Sequence, residues 1–91
     1  LDTQRVELVI CDTFLPGLSG LEFCRQLKSS RQTQLMPVLM LSSIEGAEHE
    51  VEGLTSGADE FLLQPASPSV LKARVLSMLR HKAARDSLDE V

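Results

Sequence analysis

Three short apolar runs, each stopping at a polar side chain and each followed by a helix-like stretch, constrain this chain more than any other feature. Residues 6–11 are apolar apart from Glu7 and lead into Asp12; residues 37–41 lead into Ser42-Ser43; residues 60–63 lead into Gln64-Pro65. Runs of this kind suit strands covered on both faces, and their alternation with helices suits a parallel sheet built from βα units. The fold class is therefore α/β, with strands near 6–11, 37–42 and 60–64. Between them, Leu18, Leu21, Cys24 and Leu27 recur at every third position and predict a helix near 19–29 that starts at Ser19 or Gly20. Ala47, Val51 and Leu54 make a weaker stripe and predict a helix near 46–56, with Gly57 where a left-handed cap is wanted. Ser67 as N-cap and Pro68 at the first helical position open a third helix near 67–82, with Leu71, Val75, Met78 and Leu79 inward. Ala84, Leu88 and Val91 keep helical spacing beyond it, so residues 1–82 read as one domain and 83–91 as the start of a linker helix.

With 91 residues the chain is a single small domain, since a fold of this size buries only about 60–65% of the surface its unfolded chain exposes. Nine basic residues against 13 acidic give a net charge of −4. That balance argues against a general nucleic-acid or anionic-membrane binder. No apolar run approaches the ~20 residues of a membrane span, and residues 1–5 are too polar for a signal peptide. Cys11 and Cys24 match neither a disulfide framework nor a metal box. They read as small core residues in a reducing, cytoplasmic setting.

In open parallel sheets, ligands sit at the carboxyl ends of the strands. Asp12, Ser42 and Gln64 would meet there, and a carboxylate, a hydroxyl and an amide in one crevice suit phosphoryl chemistry. Each alone is also an ordinary cap or turn former. The stretch from Leu8 to Glu22, with Asp12 and the loop Thr13-Phe14-Leu15-Pro16-Gly17-Leu18-Ser19-Gly20, resembles the phosphoacceptor strand and loop of receiver domains in two-component response regulators. Pro37-Val38-Leu39-Met40-Leu41-Ser42-Ser43 resembles their fourth strand, and Gly57-Ala58-Asp59-Glu60-Phe61-Leu62-Leu63-Gln64-Pro65 their fifth, in the family's order and spacing.

The resemblance implies a flavodoxin-like doubly wound parallel sheet, of which this chain holds the last three βα units. It implies that Asp12 takes a phosphoryl group from a histidine kinase or phosphotransfer protein and that Ser42 bonds the phosphoryl oxygens. Phe61 would turn inward with that hydroxyl, although it also reads as a plain core residue of a buried strand. Asp12 and the backbone carbonyl of Phe14 would help to hold Mg2+, Ser43, Phe14 and Ile44 would neighbour the phosphoryl group, and Gln64-Pro65 would be a cis peptide. Phe14 and Ile44 are apolar where relatives often place groups that act on the attacking water, which implies slow self-dephosphorylation. The module would be regulatory rather than an enzyme, joined to an output domain, possible as a homodimer, and would touch neither nucleic acid nor membrane directly.

Two departures stand out. Gln64 occupies the position of the family's Lys, and a unit charge about 4 Å from the phosphoryl group is worth roughly 4 kcal/mol at an effective dielectric of 20, before desolvation. Only 11 residues precede Asp12. The family's first strand, with its acidic metal-binding pair, its first helix and its second strand therefore have no counterpart here, residues 1–5 would end the second helix, and the strand at 6–11 would be a raw edge open to self-association. The chain is expected to be a piece of a larger domain that by itself binds metal and accepts phosphate poorly. Gln64 favours a second reading, a degenerate receiver acting as a phosphorylation-independent dimerisation or docking module. A haloacid-dehalogenase-like phosphatase is remote, because Phe14 stands where that class needs an acid. The chain carries no G-x-G-x-x-G or P-loop motif. His49, between Glu48 and Glu50, reads as a solvated surface histidine. The acidic cluster Glu45, Glu48, Glu50, Glu52 and the basic set Lys72, Arg74, Arg80, His81, Lys82, Arg85 read as solvated helix faces.

Overall fold

A computed structural model describes residues 6–15 and 18–89; the expectation of a helix end at residues 1–5 falls outside them. The main sheet is parallel, ordered β1 (Val9–Asp12), β4 (Val38–Ser42), β5 (Glu60–Leu63). A two-stranded antiparallel ribbon, β2 (Phe14–Leu15) with β3 (Leu18–Ser19), bridges β1 and the first helix. Helices α1 (Gly20–Ser29), α2 (Ala47–Thr55) and α3 (Pro68–Asp89) complete the elements among the described residues.

The strands' alternation sorts the core into two layers. On one face Cys11, Val38 and Met40 pack with Cys24 and Leu27 of α1, with Phe61 against them; on the other, Leu39 and Leu62 meet Met78, Leu71 and Val75 of α3. The sheet is thus wound on both faces, as the flavodoxin-like arrangement requires. Cover is uneven, however. Because α3 lies over β4 and β5, Ile10 of β1 is 47% exposed, so the expected two-sided burial of this strand does not hold.

The helix starts follow local chemistry. Ser19 Oγ accepts from the backbone N–H groups of Leu21 and Glu22, and Ser67 Oγ accepts from that of Val70, satisfying donors a helix leaves orphaned. After α2, Gly57 has φ +114°, and a Cβ there would stand 2.7 Å from Lys28 Cγ, so the position needs glycine twice over. The third helix continues without a break past residue 82, and its last turns are tied back. Lys82 pairs with Glu7 and Asp86, and Arg85 donates to the carbonyl of Leu35. Part of the basic set is therefore bonded within the chain; Arg74 likewise pairs with Glu60.

The expected stripe of α2 faces the wrong way. Val51 and Leu54 are exposed, while the inward positions are His49, Gly53 and the following Ser56. Gly53 lies against Phe61, where a Cβ would come within 2.7 Å of the ring. The sheet admits α2 this closely only on a face without bulk.

At the amino ends of the strands, Lys28 Nζ donates to the carbonyl of Met36 and to Asp59 Oδ2, and the same carboxylate oxygen accepts from the backbone of buried Val38. Asp59→Ala leaves that N–H without its acceptor. It is expected to lower the unfolding free energy by about 1–2 kcal/mol, the lower part of the usual range because the carboxylate is partly hydrated. Urea denaturation of the intact protein with an unmoved midpoint would show that the brace contributes nothing.

Cys11 and Cys24 are buried and free. Burial, then the neighbouring Cys24 and Asp12, push the Cys11 thiol above its ordinary 9.0. The unfolded thiol ionises first, so the stability that goes with keeping Cys11 protonated is present below pH 9.0 and is lost as pH rises through the higher folded value. A thiol reagent at neutral pH is expected to leave both cysteines unmodified until denaturant is added; rapid labelling of the folded protein would contradict their burial.

Candidate functional site

Register brings the strand-end residues together. Asp12 pairs with Leu41 across the β1–β4 ladder, and Ser42 pairs with Leu63 across the β4–β5 ladder. Past the pairing, the Thr13 N–H donates to the Leu41 carbonyl at 3.0 Å and the Gln64 N–H donates to the Ser42 carbonyl at 2.7 Å. Asp12, Ser42 and Gln64 therefore share one edge of the sheet. Asp12 is exposed there, and Ser42 is fully buried.

The loop after Asp12 is held by two close approaches. The Gly20 N–H donates to the Thr13 carbonyl at 2.8 Å, and a Cβ on Gly20 would fall 1.9 Å from the Asp12 carbonyl oxygen. No side chain can be accommodated without moving the backbone that carries Asp12. The backbone of Phe14 enters β2 directly beyond, paired with Ser19. Such short strands carry no periodicity, so the ribbon could not be read from the sequence.

Ser42 has the densest polar surroundings at this edge. Its Oγ accepts from Thr13 Oγ1 at 3.3 Å and from the Ile44 N–H at 3.1 Å, and lies 2.9 Å from His49 Nε2. Ser43 and Ile44 beyond it are exposed. Phe61, half-buried, meets the His49 ring edge-on, with centroids 5.7 Å apart and planes at 76°. His49 is thus not a solvated surface histidine. Its flanking glutamates face water, but its own position on α2 points to the sheet. Thr13 and Gly53 also escaped the sequence reading: Thr13 follows the strand without pattern, and a lone glycine within a helix signals only a weak position.

Gln64 turns to its own chain. Its Oε1 accepts from the Ala66 N–H at 3.3 Å, and the Gln64–Pro65 peptide is cis. Among the described residues no three His, Cys, Asp or Glu side chains gather as a metal site. A cavity of about 550 Å³ lies at the opposite end of the strands, lined by Pro37, Glu60, Arg74, Met78 and Arg85 among others. It is remote from Asp12. No described helix is long and apolar enough to cross a membrane.

In Gly20→Ala, steric conflict with the Asp12 carbonyl is expected to destabilise the fold by about 1–3 kcal/mol, as overpacking does. A melting temperature equal to that of the unsubstituted protein would mean that the β1–α1 approach is looser than described.

Residues 1–76 match the response regulator receiver domain family. The phosphate regulon transcriptional regulatory protein PhoB of Rhizobium meliloti is 42% identical over 80 residues, covering 88% of this chain and 35% of PhoB. Response regulator PleD of Caulobacter vibrioides is 35% identical over 82 residues, covering 90% of this chain and 18% of PleD. The crystal structure of response regulator DrrB from Thermotoga maritima, described as an OmpR/PhoB homologue, superposes with a TM-score of 0.77 at 32% identity, covering 89% of this chain and 36% of that one. The chain spans about a third or less of the length of these relatives. With strand order and family agreeing, the chain belongs to the receiver domains of response regulators, the regulatory modules of two-component signalling.

Proposed function

We propose that this chain is the phosphoacceptor module of a response regulator, phosphorylated on Asp12 by a histidine kinase or phosphotransfer protein and switching through Ser42 and Phe61. The carrying observation is the register that sets Asp12, Ser42 and Gln64 at one edge of the sheet. In the transfer, an Asp12 carboxylate oxygen attacks the phosphorus of a phosphohistidine. The P–N bond breaks, an acyl phosphate forms on Asp12, and the imidazole leaves with a proton. Ser42, beside it, would offer its hydroxyl to the incoming oxygens.

Mg2+ belongs to this reading through the family. Asp12 and the Phe14 carbonyl would offer two of the oxygens around an octahedral Mg2+, with the others drawn from water, the phosphoryl group and the rest of the protein. The proposal therefore attaches metal dependence to the intact protein. Relatives such as PhoB are named as transcriptional regulators, and an output domain of some kind joined to this module is part of the same proposal.

Gln64 favours the second reading, a phosphorylation-independent dimerisation or docking module. It brings no positive charge, and its amide oxygen is engaged by Ala66. One experiment separates the two. The intact protein is treated with a small phosphodonor and Mg2+ and weighed by mass spectrometry. The first reading expects the mass of one phosphoryl group, absent from Asp12→Ala. No gain, or a gain that persists in Asp12→Ala, overturns it and leaves the docking module.

The phosphorylated protein is further expected to keep its phosphate for minutes or longer without a partner, because Phe14 and Ile44 offer no polar group to the attacking water. Unaided loss within seconds, followed by the same mass assay, would contradict this.

A further inference from the structure

His49 touches both Ser42 and Phe61, the two residues proposed to switch, and takes no part in the phosphoryl transfer itself. Its Nε2 is 2.9 Å from Ser42 Oγ, and its ring abuts Phe61. One turn further along α2, Gly53 leaves the space in which the Phe61 ring rests. A hydroxyl has one proton to give and two lone pairs to receive with. The Ile44 N–H and the Thr13 hydroxyl take both lone pairs of Ser42. With those two donations the Ser42 proton is directed at His49 Nε2, 2.9 Å away; the opposite sense, His49 donating, would require the Thr13 hydroxyl to turn and accept from Ser42.

We propose that His49 is a positioning residue, a latch by which α2 holds the Ser42 hydroxyl and the Phe61 ring in the unphosphorylated state. A phosphoryl group on Asp12 would compete for the proton that His49 Nε2 now accepts. Its capture frees the imidazole and, with it, the contact between α2 and Phe61. The latch thus opposes the phosphorylated state by the strength of one hydrogen bond, and reciprocity requires that releasing it favour that state. This consequence rests on the phosphoacceptor reading; the latch contact itself does not.

The test has two arms, both on the intact protein. In the first, long-range 1H–15N spectra of the unphosphorylated protein report the tautomer of His49, identified by its disappearance in His49→Gln, with His81 as internal reference. The Nδ1–H form is expected, giving way to a tautomer mixture in Ser42→Ala. An Nε2–H form, or a spectrum indifferent to Ser42→Ala, overturns the latch.

In the second arm, the phosphorylated fraction at equilibrium with a limiting phosphodonor is measured. His49→Phe keeps an aromatic ring against Phe61 but removes the acceptor, and is expected to raise the ratio of phosphorylated to free protein roughly two- to tenfold. His49→Gln restores an acceptor of similar reach and is expected to stay near the unsubstituted protein. Equal behaviour of the two variants overturns the latch as a regulator. Absence of labelling in every form, including the unsubstituted protein, overturns the phosphoacceptor reading alone, and the tautomer arm still decides the contact.

Discussion

The relative register of three parallel strands is the constraint on which the site depends. In a parallel ladder a slip of one residue turns every side chain to the other face, so register here is enforced by burial on both layers. Val38 and Met40 must meet Cys11 and α1, while Leu39 must meet Leu62 and α3. With those contacts satisfied, Asp12 can lie only opposite Leu41, and Ser42 only opposite Leu63. The polar edge follows from the apolar core. Gly20 then fixes the remaining freedom, because its bare backbone comes against the carbonyl of Asp12 and sets where the chain leaves the strand.

The features legible in the sequence were those governed by strong local rules. The three strand ends, the caps at Ser19 and Ser67 and the glycine after α2 each follow from a few neighbouring residues, and the order of the strand ends carried the family resemblance. What could not be read depended on partners distant in the chain. The stripe of Ala47, Val51 and Leu54 has the correct period, yet α2 buries the face of His49 and Gly53, because Phe61, reached only through the fold, occupies the space beneath. His49 looked solvated because its neighbours in sequence are glutamates. Its neighbours in space are a serine and a phenylalanine. The same limit hid Asp59, whose carboxylate joins Lys28 to the start of β4 across 31 and 21 positions of sequence.

The surroundings of Ser42 bear on how such a module could respond at all. Its oxygen is fully buried and has three polar partners. A buried hydroxyl that abandons a partner without replacement loses about 1–3 kcal/mol, more than the roughly 0.5–1.5 kcal/mol that one made bond contributes. Any motion of Ser42 must therefore be an exchange of hydrogen-bond partners. On the phosphoacceptor reading the new acceptor is charged, and charge-assisted hydrogen bonds are roughly twice as strong as neutral ones, so the exchange from imidazole to phosphoryl oxygen runs downhill by a modest amount. In a receiver with lysine at the position of Gln64, an ion pair would add to that difference. Here the neutral amide adds no such pair and is already bonded to Ala66. The drive to rearrange α2 and Phe61 then rests chiefly on the Ser42 exchange, which makes the strength of the bond given up, the one to His49, the quantity that sets the response.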